Sequence, residues 1–119
     1  MKGNVLVSIL IPVYNREKWI YDCLNSIVNQ TYSNIEIIIY DDGSSDNSLN
    51  IIYSFVKQDA RIHLIVGGKN KGVSEARTRL LENIRGKYVF FVDSDDIIDL
   101  RMVEKVVAVA EKENVDLVY

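Results

Sequence analysis

The hydrophobic residues of this chain form short continuous runs, and between the runs they recur at every third or fourth position. The continuous runs lie at residues 5–14, 35–40, 62–66 and 88–92. Runs of this length that are rich in Val, Ile and aromatic residues are typical of buried strands, whereas the wider spacing is typical of amphipathic helices. Helical spacing is found at residues 16–29, 49–56, 73–84 and 102–110. The pattern therefore predicts strands that alternate with helices.

Strands that are apolar along their whole length and alternate with helices predict a parallel sheet with helices on both faces. We therefore expect an α/β fold of three layers, with a mainly parallel sheet in the middle. The chain has 119 residues, the size of one domain. Residues 116–119 resemble the start of a fifth strand, so we expect residues 1–119 to be part of a truncated domain.

Polar residues collect where three of the predicted strands end. These clusters are Pro12–Asn15, Asp41–Ser44 and Asp93–Asp96. In open α/β sheets, ligands bind beyond the carboxyl ends of the strands, near the point where the strand order reverses. The three clusters are therefore predicted to meet at one edge of the sheet and to form a binding site.

The acidic cluster Asp93–Asp96 is the strongest chemical signal in the sequence. It follows the apolar run 88–92, so we expect its three carboxylates to lie at the mouth of a buried strand. Burial and neighbouring like charges both disfavour ionised carboxylates, and a bound divalent cation would relieve that repulsion. Asp93 and Asp95 are two positions apart, which in an extended chain points them to the same side. Mg²⁺ and Mn²⁺ suit such a site because both accept oxygen ligands.

The neighbouring residues match the needs of a nucleotide with a diphosphate group. Tyr14 offers an aromatic face for a base, and Asp42 can accept hydrogen bonds from a base or a ribose. Arg77, on the third predicted helix, would add a fixed positive charge near the diphosphate. A metal ion on Asp93 and Asp95 would bridge two phosphate oxygens.

Each of these residues also has a structural interpretation, which stays open at this point. Tyr14 could instead serve in core packing. The segment Asp41–Ser44 has the composition of a turn with a helix cap, in which Asp41 holds the local backbone. Arg77 on a partly polar helix is compatible with a solvated or salt-bridged side chain. The acidic cluster is the least compatible with a structural role, because carboxylates at a buried strand end are costly without compensation.

Composition and charge argue against several functions. The net charge of −3 provides no basic patch for nonspecific binding to nucleic acid. The longest apolar runs are well below the roughly 20 residues that cross a bilayer, so we expect no membrane span in this segment. The single cysteine, Cys23, excludes an intramolecular disulfide and is expected to be a buried thiol. A reducing cytoplasmic location is therefore expected, with any contact to the inner face of the membrane made by other parts of the protein.

Taken together, these segments resemble the nucleotide-binding half of the inverting family 2 glycosyltransferases, which have the Rossmann-like GT-A fold. The matching stretches are residues 7–15, 24–32, 36–46, 70–72, 76–77 and 86–96. They span nearly the whole chain in the order and spacing of the family. The resemblance implies a truncated GT-A domain that carries the nucleotide-sugar-binding part and lacks the acceptor-binding part.

The resemblance further implies a glycosyltransferase that binds a UDP-, GDP- or dTDP-sugar together with Mn²⁺ or Mg²⁺. Pro12 and Tyr14 match positions that line the base pocket of the family. Asp42 matches the acid that contacts the base.

The segment Asp93-Ser94-Asp95 matches the DxD motif of the family. Asp95 corresponds to the direct metal ligand, and Asp93 lies nearer to the ribose or the metal shell. Two departures are visible. Thr78 follows the Ala-Arg pair where the family often has Asn, which puts the packing near the phosphates in doubt. Leu100 stands where the family often has a proline after the motif, and this change is expected to affect only the start of the fourth predicted helix.

In the inverting reaction of this family, an acceptor hydroxyl attacks the anomeric carbon of the sugar and the nucleoside diphosphate leaves. A metal stabilises the leaving group, and a carboxylate base takes the acceptor's proton. In the family that base lies well beyond the DxD motif, so we expect donor binding without efficient transfer and no catalytic residue in this chain. Among the acids after the motif, three are expected on helix surfaces: Asp99, Glu104 and Glu111. The implied acceptor is a saccharide or lipid-linked saccharide, used in making a cell-surface or extracellular polysaccharide.

Three other classes of protein also place acidic residues at strand ends or share this fold. A non-catalytic nucleotide-binding module of the same fold stays open. Phosphatases of the haloacid dehalogenase type place Asp-x-Asp after the first strand with a threonine two positions on, whereas here the motif follows the fourth strand and Ile97 stands at that position. Phospho-receiver domains place an acid pair after the first strand, where this chain has Pro12–Asn15.

Overall fold

The computed structural model describes residues 4–113, and in this part of the chain the predicted alternation of strands and helices is confirmed. The strands are β1 (Val7–Val13), β2 (Ile35–Asp41), β3 (Ile62–Val66) and β4 (Tyr88–Phe91). The helices are α1 (Ile20–Val28), α2 (Ser48–Val56), α3 (Val73–Leu81) and α4 (Met102–Glu113). No helix within residues 4–113 is long and apolar enough to cross a bilayer. The predicted fifth strand at residues 116–119 lies outside the described residues.

The described strands form one parallel sheet in the order β3-β2-β1-β4. Val7 of β1 pairs with Ile35 of β2 on one side and with Tyr88 of β4 on the other. The chain thus moves outward from β1 to β3 and then returns to the opposite side of β1 to form β4. This reversal places a crevice between the carboxyl ends of β1 and β4, where open α/β sheets bind ligands.

Helices cover both faces of the sheet. Successive strand residues point to opposite sides, so strands that are apolar along their length have two apolar faces to bury. One face, which includes Ile9 and Phe90, packs against α1, α2 and α4 in the larger core. The other face, which includes Leu10 and Val89, packs against α3 in the smaller core. The predicted three-layer α/β/α architecture is therefore confirmed for the described residues.

A buried polar cluster joins the amino ends of β1, β2 and β4. Ser8 Oγ donates to Glu36 Oε2 at 2.5 Å and accepts from the N–H of Gly86 at 2.8 Å. Glu36 also accepts from the backbone N–H of Arg85 at 2.7 Å and from the Arg85 Nε at 3.3 Å. Burial raises the pKa of Glu36, but the hydrogen bonds from Ser8 and Arg85 outweigh burial and hold this pKa below its usual value. The cluster fixes the chain where it enters β4, and β4 in turn carries the acidic segment.

Candidate functional site

A cleft of about 300 Å³ opens at the carboxyl edge of the sheet, beside the start of α3. Its walls contain every residue that the sequence and the resemblance indicate as a donor or metal contact: Pro12, Tyr14, Asp42, Arg77, Asp93, Ser94 and Asp95. The other lining residues are Val13, Arg16, Val73 and Ala76. Residues from three strand ends and one helix are therefore brought together, as the sequence predicts.

The loop after β1 holds Tyr14 at the cleft. Asn15 has a φ of 51°, a left-handed conformation that asparagine tolerates better than most residues. Its Oδ1 accepts from the N–H of Ser45 at 2.8 Å and from that of Asp46 at 3.3 Å, and its own N–H donates to Ser44 Oγ at 2.9 Å. These bonds fasten the loops after β1 and β2 together. Tyr14 is 44% exposed, so the alternative of core packing is wrong.

The two adjacent acids at the end of β2 have different partners. Asp41 is buried, and its Oδ2 accepts from the N–H of Ser44 at 3.0 Å, so it holds the local turn as predicted. Asp42 is also buried, and its two carboxylate oxygens accept from the N–H groups of Lys71 and Gly72 at 2.8 and 2.9 Å. Asp42 thus lines the cleft while both of its oxygens bind the loop that precedes α3.

The acidic segment after β4 forms a turn and does not extend the strand. β4 ends at Phe91, and the N–H of Asp96 donates to the carbonyl oxygen of Asp93 at 3.0 Å. Asp93, Asp95 and Asp96 are exposed, whereas Ser94 is buried between them. The expectation that burial disfavours these carboxylates is therefore wrong, because their side chains reach solvent. Repulsion between like charges is the cost that remains.

The three acids can nevertheless serve one metal ion. One carboxylate oxygen from each of Asp93, Asp95 and Asp96 lies within 4.8 Å of the other two. Ligand oxygens lie about 2.1 Å from a Mg²⁺ ion, and so up to about 4.2 Å from one another. Small rotations of exposed side chains suffice to reach that spacing. The all-oxygen donor set fits Mg²⁺ or Mn²⁺. Asp96 joins Asp93 and Asp95 as a potential ligand because the turn brings it close to them.

Cys23 of α1 lies directly beneath this turn. Its Sγ donates to the carbonyl oxygen of Asp93 at 3.6 Å, and the residue is fully buried, as predicted. Burial, reinforced by the charges of Asp96, Asp95 and Asp93, raises the pKa of Cys23 to about 12.

Cys23 is therefore expected to be unreactive in the folded protein. At about pH 8, a thiol with this pKa is deprotonated in only about one molecule in ten thousand, and the thiolate is the reactive form. A chromogenic disulfide reagent should label the chain only after unfolding in guanidinium chloride. Rapid, complete labelling of the native protein at that pH would contradict the buried position.

Two arginines bring positive charge to the cleft. The guanidinium carbon of Arg77 lies 4.1 Å from the centre of the Phe91 ring, a stacking distance for a cation on an aromatic face. Arg77 takes part in none of the ion pairs formed within residues 4–113. Arg16 was not indicated by the sequence analysis; its buried Nε has no hydrogen-bond partner in the described part of the chain. A basic residue directly after the Pro12–Asn15 cluster was the signal for it.

The acids that follow the motif lie away from the cleft and are engaged elsewhere. Glu104 accepts from Arg101 Nε at 2.7 Å, and Glu111 accepts from Lys87 Nζ at 2.8 Å. The Oδ1 of Asp99 accepts from the N–H of Arg101 at 2.8 Å just before α4 begins. Glu104 and Glu111 thus lie on α4 as expected, whereas Asp99 precedes the helix, so the expectation is wrong for Asp99.

Comparison with known proteins agrees with the resemblance described above. The model of "Glycosyl transferase family 2" matches residues 8–119. Glycosyltransferase GlyG of Streptococcus pneumoniae serotype 4 is 37% identical over 113 residues, which are 95% of this chain and 38% of GlyG. The uncharacterized glycosyltransferase EpsJ of Bacillus subtilis is 41% identical over 113 residues, which are 95% of this chain and 33% of EpsJ. The chain thus spans about a third of the length of these relatives.

Solved structures with the same fold include enzymes bound to nucleotide sugars. TarS 1–349 of S. aureus in complex with UDP-GlcNAc superposes with a TM-score of 0.85 at 29% identity, covering 91% of this chain and 32% of TarS. The mannosyltransferase PcManGT of Pyrobaculum calidifontis, solved in complex with GDP-Man and Mn²⁺, gives a TM-score of 0.79 at 22% identity. That superposition covers 87% of this chain and 32% of PcManGT, and it supports the fold alone.

Proposed function

Because the chain belongs to glycosyl transferase family 2, we propose that its cleft binds the nucleotide-diphosphate sugar donor of a glycosyl transfer reaction. The observation that carries this proposal is the cleft itself. It gathers an aromatic ring, an acidic cluster and an arginine that forms no ion pair within residues 4–113. These are the groups that a base, a diphosphate and its metal ion require. The relation to TarS, which has been solved with UDP and with UDP-GlcNAc, supports the same class of ligand.

In this proposal, the two sides of the cleft hold different parts of the donor. Pro12 and Tyr14 form the base side, where the exposed ring of Tyr14 offers an apolar face. Arg77 faces the diphosphate and neutralises part of its charge. Asp42 forms the wall next to the base side.

The metal side of the cleft is formed by Asp93, Ser94 and Asp95. Asp93 and Asp95 would hold Mn²⁺ or Mg²⁺, which when bound stabilises negative charge on the leaving diphosphate. Ser94 is buried between the two acids.

We further propose that the whole protein transfers the sugar with inversion to a saccharide or lipid-linked saccharide acceptor. An attacking hydroxyl needs a carboxylate base within hydrogen-bond reach, and Glu104 and Glu111 are instead held by Arg101 and Lys87. The described residues therefore serve donor binding, and the base is proposed to come from another part of the protein. A role in cell-surface polysaccharide synthesis is supported by the similarity to the putative teichuronic acid biosynthesis glycosyltransferase TuaG of Bacillus subtilis, 41% identical over 91 residues that cover 76% of this chain and 36% of TuaG. We also propose a cytoplasmic location for the domain, which the single buried thiol of Cys23 supports.

Calorimetric titration with nucleotides tests the proposed donor site. UDP, GDP and dTDP, and then their sugars, are titrated into the 119-residue chain with Mn²⁺ and again with excess EDTA. We expect at least one nucleoside diphosphate to bind at least about tenfold more tightly with Mn²⁺, a difference of about 1.4 kcal/mol. Binding of inorganic phosphate with no preference for any nucleotide would overturn the proposal.

A transfer assay separates an enzyme from a non-catalytic binding module of the same fold. The full-length protein should release the nucleoside diphosphate from the preferred donor in the presence of an acceptor. The 119-residue chain should bind the donor with little release. Tight donor binding by a full-length protein that shows no transfer to any saccharide acceptor would favour the binding module.

A further inference from the structure

Both carboxylate oxygens of Asp42 accept hydrogen bonds from the backbone of the chain itself. Its Oδ1 accepts from the N–H of Lys71 at 2.8 Å and its Oδ2 from the N–H of Gly72 at 2.9 Å. The N–H of Asp42 donates to the carbonyl oxygen of Val13 at 2.8 Å, which ties the residue to the end of β1. A carboxylate that served only to contact a base would need neither bond to the Lys71–Gly72 segment.

The loop between β3 and α3 rests closely on the end of β2. The N–H of Gly67 donates to the carbonyl oxygen of Asp41 at 2.8 Å. Gly43 has a φ of 79°, and a Cβ on it would lie 2.6 Å from the backbone nitrogen of Asn70. Only a residue without a side chain fits there. The middle of the β3–α3 loop therefore packs against the turn at Gly43, and its far end is bound by Asp42.

The far end of the loop is also the start of α3. Gly72 precedes the helix with a φ of 95°, and its carbonyl oxygen accepts from the N–H of Ala76 at 3.2 Å. Ala76 and Arg77 follow in the first turns of the helix, and both line the cleft. The smaller core has α3 as its one helix among the described residues. The position of Gly72 therefore sets the position of Arg77.

From these contacts we propose that Asp42 is a positioning residue for the diphosphate side of the cleft. By holding the N–H groups of Lys71 and Gly72, it fixes the start of α3 and thereby the place where the Arg77 guanidinium stands over Phe91. This inference builds on the proposed donor site. It differs from a role in base recognition, because its effect falls on every diphosphate ligand regardless of the base.

Measuring the affinity of the variant Asp42→Asn for a series of diphosphate ligands tests this assignment. The asparagine keeps one acceptor oxygen but turns an N–H donor toward one of the two loop N–H groups. UDP, GDP, dTDP and inorganic pyrophosphate are titrated with Mn²⁺. We expect the affinity for all ligands that the wild type binds to fall by a similar factor, about tenfold, pyrophosphate included. A loss for one nucleotide with unchanged pyrophosphate binding would overturn the proposal in favour of direct base contact.

Two comparisons make the test specific. Asp59→Asn removes a carboxylate that is paired with Arg61 at the opposite end of the sheet, and it should leave pyrophosphate affinity unchanged. In the Asp42→Asn background, Arg77→Ala should cost less than in the wild type, because residues of one coupled unit are not additive. Full additivity would contradict the coupling.

A second variant covers the case in which Asp42→Asn does not fold. Gly72→Ala leaves Asp42 intact and meets no atom within 4 Å, but it strains a backbone with a φ of 95°. It should lower the affinity for nucleotides and pyrophosphate alike.

Hydrogen exchange measures the same coupling without a ligand. In Asp42→Asn, or in Gly72→Ala if the former does not fold, the amides of Ala76 and Arg77 should exchange faster, while those of β1 stay protected. Unchanged exchange at the start of α3 would overturn the proposal. If the wild type binds no nucleotide, the donor-site proposal fails, and this measurement still decides whether Asp42 positions α3.

Discussion

Replacing Asp95 with alanine is expected to abolish the Mn²⁺-dependent part of nucleotide binding. The affinity for the preferred nucleoside diphosphate should fall by about 100-fold, which corresponds to about 2.7 kcal/mol. The reason is electrostatic: a diphosphate enters a cleft that already contains exposed carboxylates. Without a cation between them, the ligand and the acids repel each other. Asp93, Asp95 and Asp96 form the one cluster of potential metal ligands found within the described residues. Losing one of its three carboxylates weakens the binding of the cation that would neutralise the diphosphate.

Calorimetry with and without Mn²⁺ measures this effect, and neighbouring acids provide the controls. Asp93→Ala should behave like Asp95→Ala, because both residues line the cleft. Asp96→Ala should have a smaller effect, since Asp96 faces the adjoining pocket that Ile98 and Met102 line. Asp99 lies outside the acidic cluster, so the variant Asp99→Asn should bind the nucleoside diphosphate like the wild type.

The unfolding temperature separates lost binding from lost folding. Without metal, Asp95→Ala removes one of three mutually repelling charges, so its unfolding temperature should be equal to or above that of the wild type. Added Mn²⁺ should raise the unfolding temperature of the wild type and leave that of the variant unchanged. An Asp95→Ala protein that keeps Mn²⁺-dependent binding would show that the acids are not the metal site.

The sequence predicted the secondary structure well because burial on both faces leaves a strong pattern. The runs at 35–40 and 62–66 correspond to β2 and β3 almost residue for residue. The boundaries were less accurate where long-range contacts decide them. Residues 16–19 form a turn before α1, in which the N–H of Ile20 donates to the carbonyl oxygen of Arg16 and the N–H of Arg16 donates to Ser48 Oγ. No local pattern reveals a partner 32 positions away.

The location of the cleft was predictable, but its internal bonding was not. Strand ends of a parallel sheet meet at one edge, so the grouping of Tyr14, Asp42 and Asp93 follows from topology alone. The bonds from Asp42 to Lys71 and Gly72 depend on how a loop folds back across the sheet. The exposure of the acids was mispredicted for a similar reason, because the chain turns after Phe91.

The second large effect is expected on stability, in Glu36→Ala. Glu36 is buried and accepts hydrogen bonds from Ser8 and from the backbone and side chain of Arg85. Its removal leaves a buried hydroxyl and a part-buried N–H without their acceptor, at a cost of about 1–3 kcal/mol each. We expect the free energy of unfolding to fall by about 3 kcal/mol, a large share of the roughly 5–15 kcal/mol of a typical domain. Urea titration measures it, and Glu113→Ala on the exposed end of α4 is the matched control.

The pH dependence identifies the ionised carboxylate as the source of this stability. The pKa of Glu36 is lowered in the folded chain, so its stabilising contribution is complete above the unfolded pKa of about 4.3 and is lost as the pH falls through the folded value. Glu36→Gln, which keeps the size of the side chain but carries no charge, should therefore be less stable than the wild type at neutral pH. The gap should narrow as the pH drops below about 4. A gap that stays constant down to about pH 3 would show that the ionised form of Glu36 is not the source of the stability at the entry to β4.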